Sequence, residues 1–146
     1  MEDIYNLERF QIAQDTFPES YELALSEIKN GRKENHWIWY IFPNMKGLGQ
    51  SYNSYFYGIS SLNEAKAYLK HPVLGKRLIE ISEAVLSNYG KVNVYALMGS
   101  AIDRKKLQSC MTLFHIASPD DLIFKNVLDS YFHGSLCKKT LGLLGM

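Results

Sequence analysis

The residues with the most chemical reach lie together. The run Gly31-Arg32-Lys33-Glu34-Asn35-His36-Trp37-Ile38-Trp39-Tyr40-Ile41-Phe42-Pro43 puts two tryptophans, a histidine and an arginine within eight positions. Indole rings can wall or stack a planar group, and the Arg32 guanidinium offers a fork of donors matched to phosphate or carboxylate. His36 would donate a hydrogen bond to such a ligand or serve as its general acid or base, although local spacing supplies it with no acidic or nucleophilic partner. These residues point to a site for a phosphorylated or nucleotide-like small molecule. Arg32 is its anchor, Trp37 or Trp39 its wall, and Gln14 and Tyr57 its secondary contacts. The segment also reads in two other ways, as core plugs beneath a long loop or as an aromatic surface patch for a protein partner or dimer contact. The readings differ in where Trp37 and Trp39 point.

A second polar group, Ser109 and Thr112 with the charged stretch Asp103 to Lys106, sits at the start of a segment carrying Met111 and Phe114. Ser and Thr inside a helix face solvent or bond back to the preceding turn. If this helix start abuts the tryptophan segment, its free N–H groups and Lys106 complete an anion site with Arg32. Gly47-Leu48-Gly49-Gln50-Ser51 lacks the GxGxxG spacing and the preceding strand of a dinucleotide fold, and reads better as a flexible turn. His36, His71, His115 and His133 are scattered without HxH, HExxH or HxxE spacing, so no metal is expected and the cofactor is unassigned. Cys110 and His115 would project about 140° apart on a helix, which separates them as nucleophile and base. Whether binding leads to a reaction stays open.

Stepping outward, the chain of 146 residues is about the size of one domain with one hydrophobic core. Its apolar fraction of 47% and charged fraction of 21% exclude disorder and coiled coil. Sixteen basic and fifteen acidic residues leave a formal charge of +1, with no field to gather nucleic-acid phosphates. The short basic runs Arg104-Lys105-Lys106 and Lys138-Lys139 read as solvated helix faces. Cys110 and Cys137 form no CxxC pair and read as buried, reduced thiols. The start MEDIYNLERF resembles no secretory signal, and no run has the ~18 apolar residues that span a bilayer. A cytoplasmic protein without a membrane or nucleic-acid partner is expected.

The fold class expected is mainly α, a single-domain array of six to eight helices, with room for one or two short strands near Val92 to Leu97, since Val92 to Met98 reads either as a short strand or as a helical turn. Leu7, Phe10, Ala13 and Phe17 recur at helical spacing up to the break at Pro18, as do Tyr21, Ala24, Leu25 and Ile28, with Gly31 placed for a left-handed cap. Arg32 to Gly58 has no long period. Ser61 and Glu64 make a capping box before Leu62, Ala65 and Leu69, and Pro72 suits the first turn of the following helix. Leu74, Leu78, Ile81 and Val85 trace one stripe as far as Asn88-Tyr89-Gly90. Leu107, Cys110, Met111 and Phe114 mark another helix, and Phe124, Val127, Leu128 and Tyr131 a further one with Asp120 as N-cap.

In order along the chain, LERFQIAQ, GRKENHWIWYIFPNMKGLG, SLNEAKAYLKHPVLGKRL and KLQSCMTLF resemble an uncharacterised bacterial family of unknown function, often mislabelled "calpastatin", from about Tyr5 to Phe132. The resemblance implies a compact helical array of one domain and says little about activity. Inhibition of a calcium-activated protease does not suit this chain, because calpastatins are long, disordered and repeat-bearing. A looser association with ADP-ribose and NAD-handling modules is analogy and defines no site. Asn44-Met45-Lys46 departs from the family pattern, which carries Gln and a small or basic residue before the GLG.

Overall fold

A computed structural model describes residues 2–146, and among them the chain forms ten helices and no strand. α1 (Glu8–Asp15) and α2 (Tyr21–Lys29) are followed by two short turns, α3 (Ile38–Ile41) and α4 (Tyr52–Phe56). Then come α5 (Leu62–Lys70), α6 (Leu74–Ser87), α7 (Val94–Met98), α8 (Ala101–Ala117), α9 (Leu122–Phe132) and α10 (Lys138–Leu143). The surplus over the expected six to eight consists of α3, α4, α7 and α10, each six residues or fewer. Elements of one or two turns are too short for an apolar stripe to repeat.

The ends follow side-chain chemistry written in the sequence. Ser20, Ser61 and Ser100 accept N–H bonds from the third residue on, at 3.1–3.3 Å. Glu64 answers Ser61 by accepting from the backbone and hydroxyl of Ser60, at 3.0 and 2.7 Å, so the capping box closes one residue early. Gly31, at φ +82°, ends α2 with its own N–H on the Ile28 carbonyl and the Arg32 N–H on that of Glu27. Val73 is the N-cap of α6, with Pro72 just ahead of it, and the His71 Nδ1 supports that start by accepting from the Val73 and Leu74 N–H groups. Gly75 lets α6 pass close to α5, since a Cβ there would stand 2.0 Å from the Leu69 carbonyl oxygen.

Of its two readings Val92 to Met98 takes the helical turn, not the strand: Asn93 accepts from Ala96 N–H at 2.9 Å and starts α7. Two expectations are corrected. Asp121, not Asp120, is the N-cap of α9, with Ser118 donating to its carboxylate at 2.8 Å. Phe17 lies beyond the end of α1 and is exposed rather than on its buried stripe.

α8 is the central element, ~25 Å long at 1.5 Å per residue, and packs against α5, α7, α9 and α10. α6 closes the core against α2, α5 and α9. Leu107, Cys110, Met111 and Phe114 are buried, as their spacing predicts. Tyr68, Phe114 and Phe124 form an aromatic chain through the centre, with ring centroids 5.3 and 5.9 Å apart. No helix is long and apolar enough to cross a membrane among the described residues.

Candidate functional site

The run from Gly31 to Pro43 divides at Trp37. Up to that residue it wraps around a carboxylate. Glu27 sits on α2 between Ala24 and Ile28, on the buried face, and is itself buried. Its oxygens accept from the backbone N–H groups of Glu34 and Asn35 (2.8 and 3.0 Å), from Asn35 Nδ2 (2.5 Å) and from Trp37 Nε1 (2.9 Å). Burial alone would raise the carboxyl pKa, and these donors outweigh it, so the group is held below its usual range. Trp37 is wholly enclosed and packs on Phe42. Lys33 turns inward, with Nζ 2.8 Å from Asp103 of α8 and 4.9 Å from the Trp37 ring centre. The segment therefore abuts the start of α8, but through Lys33. Arg32 and His36 are exposed, and the His36 backbone N–H donates to Glu19 at 2.9 Å.

Beyond Trp37 the bonding is less complete: the Tyr40 hydroxyl donates to the Glu19 carbonyl at 2.6 Å, but the Trp39 indole N–H has no partner. Trp39 is half-buried at the margin of the core. It forms one wall of a cavity of about 520 Å³. Phe42 and Met45 form the apolar base, Leu48 to Ser54 and Tyr57 curl over one side, and Lys105, Lys106 and Ser109 of α8 form the other, with Cys137 at the edge. Asn44 ties the loop to α8 by donating to the Lys106 carbonyl at 3.1 Å and to that of Phe42 at 3.0 Å. Asn44 and Met45 both fall on the cavity lining.

The electrostatics of this cavity are one-sided. Arg104, Lys105, Lys106 and Lys139 line it, and no Asp or Glu does. None of the four has an ion-pair partner among the described residues. Lys106 Nζ stands 5.1 Å from the centre of the Trp39 ring, while the guanidinium of Arg104 lies 4.9 Å from that of Tyr95. The buried Trp39 Nε1 and Arg104 Nε have no hydrogen-bond partner. Burial lowers the pKa of Lys106; Asp103 opposes the effect and Lys33 adds to it.

Cys137 is half-buried at the cavity edge, not enclosed as expected from its sequence context, whereas Cys110 is enclosed and burial pushes its thiol up. Burial would raise the Cys137 thiol too, but donors from Ser109, Thr140 and Lys139 hold it below its usual value. The Ser109 hydroxyl lies 3.2 Å from Cys137 Sγ and 3.0 Å from the Lys105 carbonyl.

Of the residues singled out from the sequence, Trp39, Tyr57, Ser109 and Lys106 meet at the cavity. Thr112 stands behind it, buried, accepting the Cys137 N–H at 3.0 Å and so positioning that loop. Gln14 belongs to a buried network elsewhere: it donates to the Tyr40 carbonyl and the Tyr68 hydroxyl and accepts from Arg77. Arg32, His36 and Trp37 do not line the cavity. Cys137 and Lys139 also line it, though the sequence marked neither as a site residue. The basic runs were the available signal, but their convergence depends on α10 packing against α8. Among the described residues no three His, Cys, Asp or Glu side chains cluster as metal ligands.

The model of a family described as "Protein of unknown function (DUF1810)" matches residues 4–144. Among solved structures, the crystal structure of the conserved hypothetical protein Rv1873 from Mycobacterium tuberculosis is similar over 99% of both chains, with 40% sequence identity and a TM-score of 0.91. No protein of curated function matches.

Proposed function

The chain belongs to the DUF1810 family of proteins of unknown function, and from that premise we propose that it is a small-molecule-binding domain. Its cavity between Trp39 and α8 takes a phosphorylated or nucleotide-like anion. The observation that carries this reading is the lining: four cationic side chains and no carboxylate, in a chain whose net charge is only +1. Basic residues without ion-pair partners along an apolar base favour an anion over a neutral or cationic ligand. The Trp39 ring supplies a wall for a planar group. Lys106 and Lys139 take over the anchoring role first given to Arg32, while the Arg104 guanidinium sits over the Tyr95 and Phe132 rings, which lie outside the lining.

A thermal-shift screen against nucleotides, ADP-ribose, NAD, sugar phosphates and inorganic phosphate tests it. At ~100 times its dissociation constant a bound ligand adds about 2.7 kcal/mol to stability. The shift should fall in Lys106→Ala and Trp39→Phe. A panel without any shift, or shifts unchanged in both variants, would falsify the reading.

A protein-interaction role draws support from a different surface. Phe17 and Ile12, 86% and 59% exposed, border a groove with Tyr40 and Phe56. Light scattering that shows a dimer abolished by Phe17→Ser would favour that role.

A further inference from the structure

The stretch from Lys46 to Gly58 is tied to the body of the protein at its ends and left loose between them. At the neck, the Lys46 N–H donates to the Ile59 carbonyl and the Ile59 N–H to that of Asn44, both at 2.8 Å. Arg9, itself paired with Glu64, holds the far end by donating to the Phe56 and Gly58 carbonyls at 2.8 and 3.0 Å. From Gly49 to Tyr55, among the described residues, every hydrogen bond stays within the loop. Ser51 caps α4 by accepting from the Ser54 N–H, and the Tyr55 N–H returns to the Ser51 carbonyl. α4 contains no buried residue. Ser54 packs on Gly49 so closely that a Cβ there would stand 2.3 Å from its hydroxyl. A segment that folds on itself and is hinged at a narrow neck is an Ω-loop, and it moves as a unit at little cost because its middle breaks no bond to the body.

That loop is also a wall of the cavity. Gln50 and Asn53 line it, and their side-chain amides bond to no protein group among the described residues. Across from them stand Lys106 and Ser109 of α8 and Lys139 of α10. The cations are thus carried by the helices and the neutral amides by the loop. A volume of about 520 Å³ falls within the ~300–1,000 Å³ of sites for drug-sized molecules, well above what a bare oxyanion fills. We propose that residues 46–58 form a lid that closes on a two-part ligand, an organic phosphate whose other half carries hydroxyl or amide groups. Lys106 and Lys139 hold the phosphate, and Gln50 and Asn53 take the neutral half. Closure strips water from the two amides, which is favourable only where the ligand supplies their hydrogen bonds. A bare anion held by the lysines gives the loop nothing to close on, because it binds the open and closed states alike. The inference rests on the cavity being the anion site of the proposed function.

Hydrogen–deuterium exchange of the full chain, read by mass spectrometry, tests it. The probes are inorganic phosphate, ribose 5-phosphate and adenosine 5′-monophosphate, each at a concentration giving the same thermal shift. The two organic phosphates should slow exchange across residues 47–57 several-fold, and inorganic phosphate should leave it unchanged. Gln50→Ala combined with Asn53→Ala should abolish that protection and weaken both organic phosphates several-fold, while the shift with inorganic phosphate is kept. If the organic phosphates raise Tm with exchange in the loop unchanged, the lid is overturned and the binding reading survives. Equal protection by inorganic phosphate overturns the two-part ligand. If no compound shifts Tm and exchange is the same throughout, the lid and the binding reading fall together.

Discussion

Two neighbouring stretches of this chain handle polar groups in opposite ways. Around Glu27 every donor brought inward finds an acceptor: two backbone N–H groups, the Asn35 amide and the Trp37 indole converge on one carboxylate. A few residues on, around Trp39, the indole N–H has no partner and four cations share a cavity without an acid. A saturated network organises structure, because breaking it strands groups that cannot reach water. An unsaturated one holds recognition capacity in reserve for something that arrives later. The contrast between Trp37 and Trp39 says more about function than the density of aromatics in the segment does.

The largest effect should break the saturated side. Trp37→Ala removes a wholly buried ring and should cost about 3–5 kcal/mol of unfolding free energy, measurable by urea denaturation. Next, Glu27→Ala strands four donors and should cost roughly 3 kcal/mol, with each unpaired donor worth ~1–3 kcal/mol before solvent rescues some of them. Because the Glu27 pKa is lowered on folding, its contribution is present above the unfolded carboxylate range and is lost as pH falls through the folded value. Denaturation midpoints of Glu27→Gln should therefore fall less steeply on acidification than those of the parent protein. An equal slope would remove Glu27 as the organiser.

The open side should respond differently. Lys106→Ala and Trp39→Phe should change stability without ligand by less than about 1 kcal/mol, since neither removes a satisfied bond. Both should lose most of the ligand-induced thermal shift. A large loss of stability in either would make this wall structural and erase the contrast. The smallest effect is expected of Arg32→Ala, which should stay within about 0.5 kcal/mol of the parent and keep the full ligand shift. A ligand shift abolished by that change would return the anchor to Arg32.

Much of the frame was legible beforehand because it is local. The stripe Tyr21, Ala24, Ile28 is buried, and Glu27 on that same face was open to the same reading, as a carboxylate in need of buried donors. Ser61 with Glu64, and Gly31 and Gly90 at positive φ, act within a turn of their own positions. The cavity was legible only in part. Trp39, Tyr57 and Ser109 belong to it, but Arg104 to Lys106 and Lys139 had the look of ordinary solvated faces until α10 lay against α8.

The amino-acid sequence by itself determined the helical class, the buried faces of the longer helices and several of their ends, and it marked out a segment of unusual chemistry. Those follow from periodicity and capping, which act over a few residues. Tertiary structure alone decided which tryptophan is core and which is wall, that Lys33 rather than Arg32 meets α8, and that the cations converge. Each of those depends on groups brought from distant positions by packing, and no local spacing encodes that meeting.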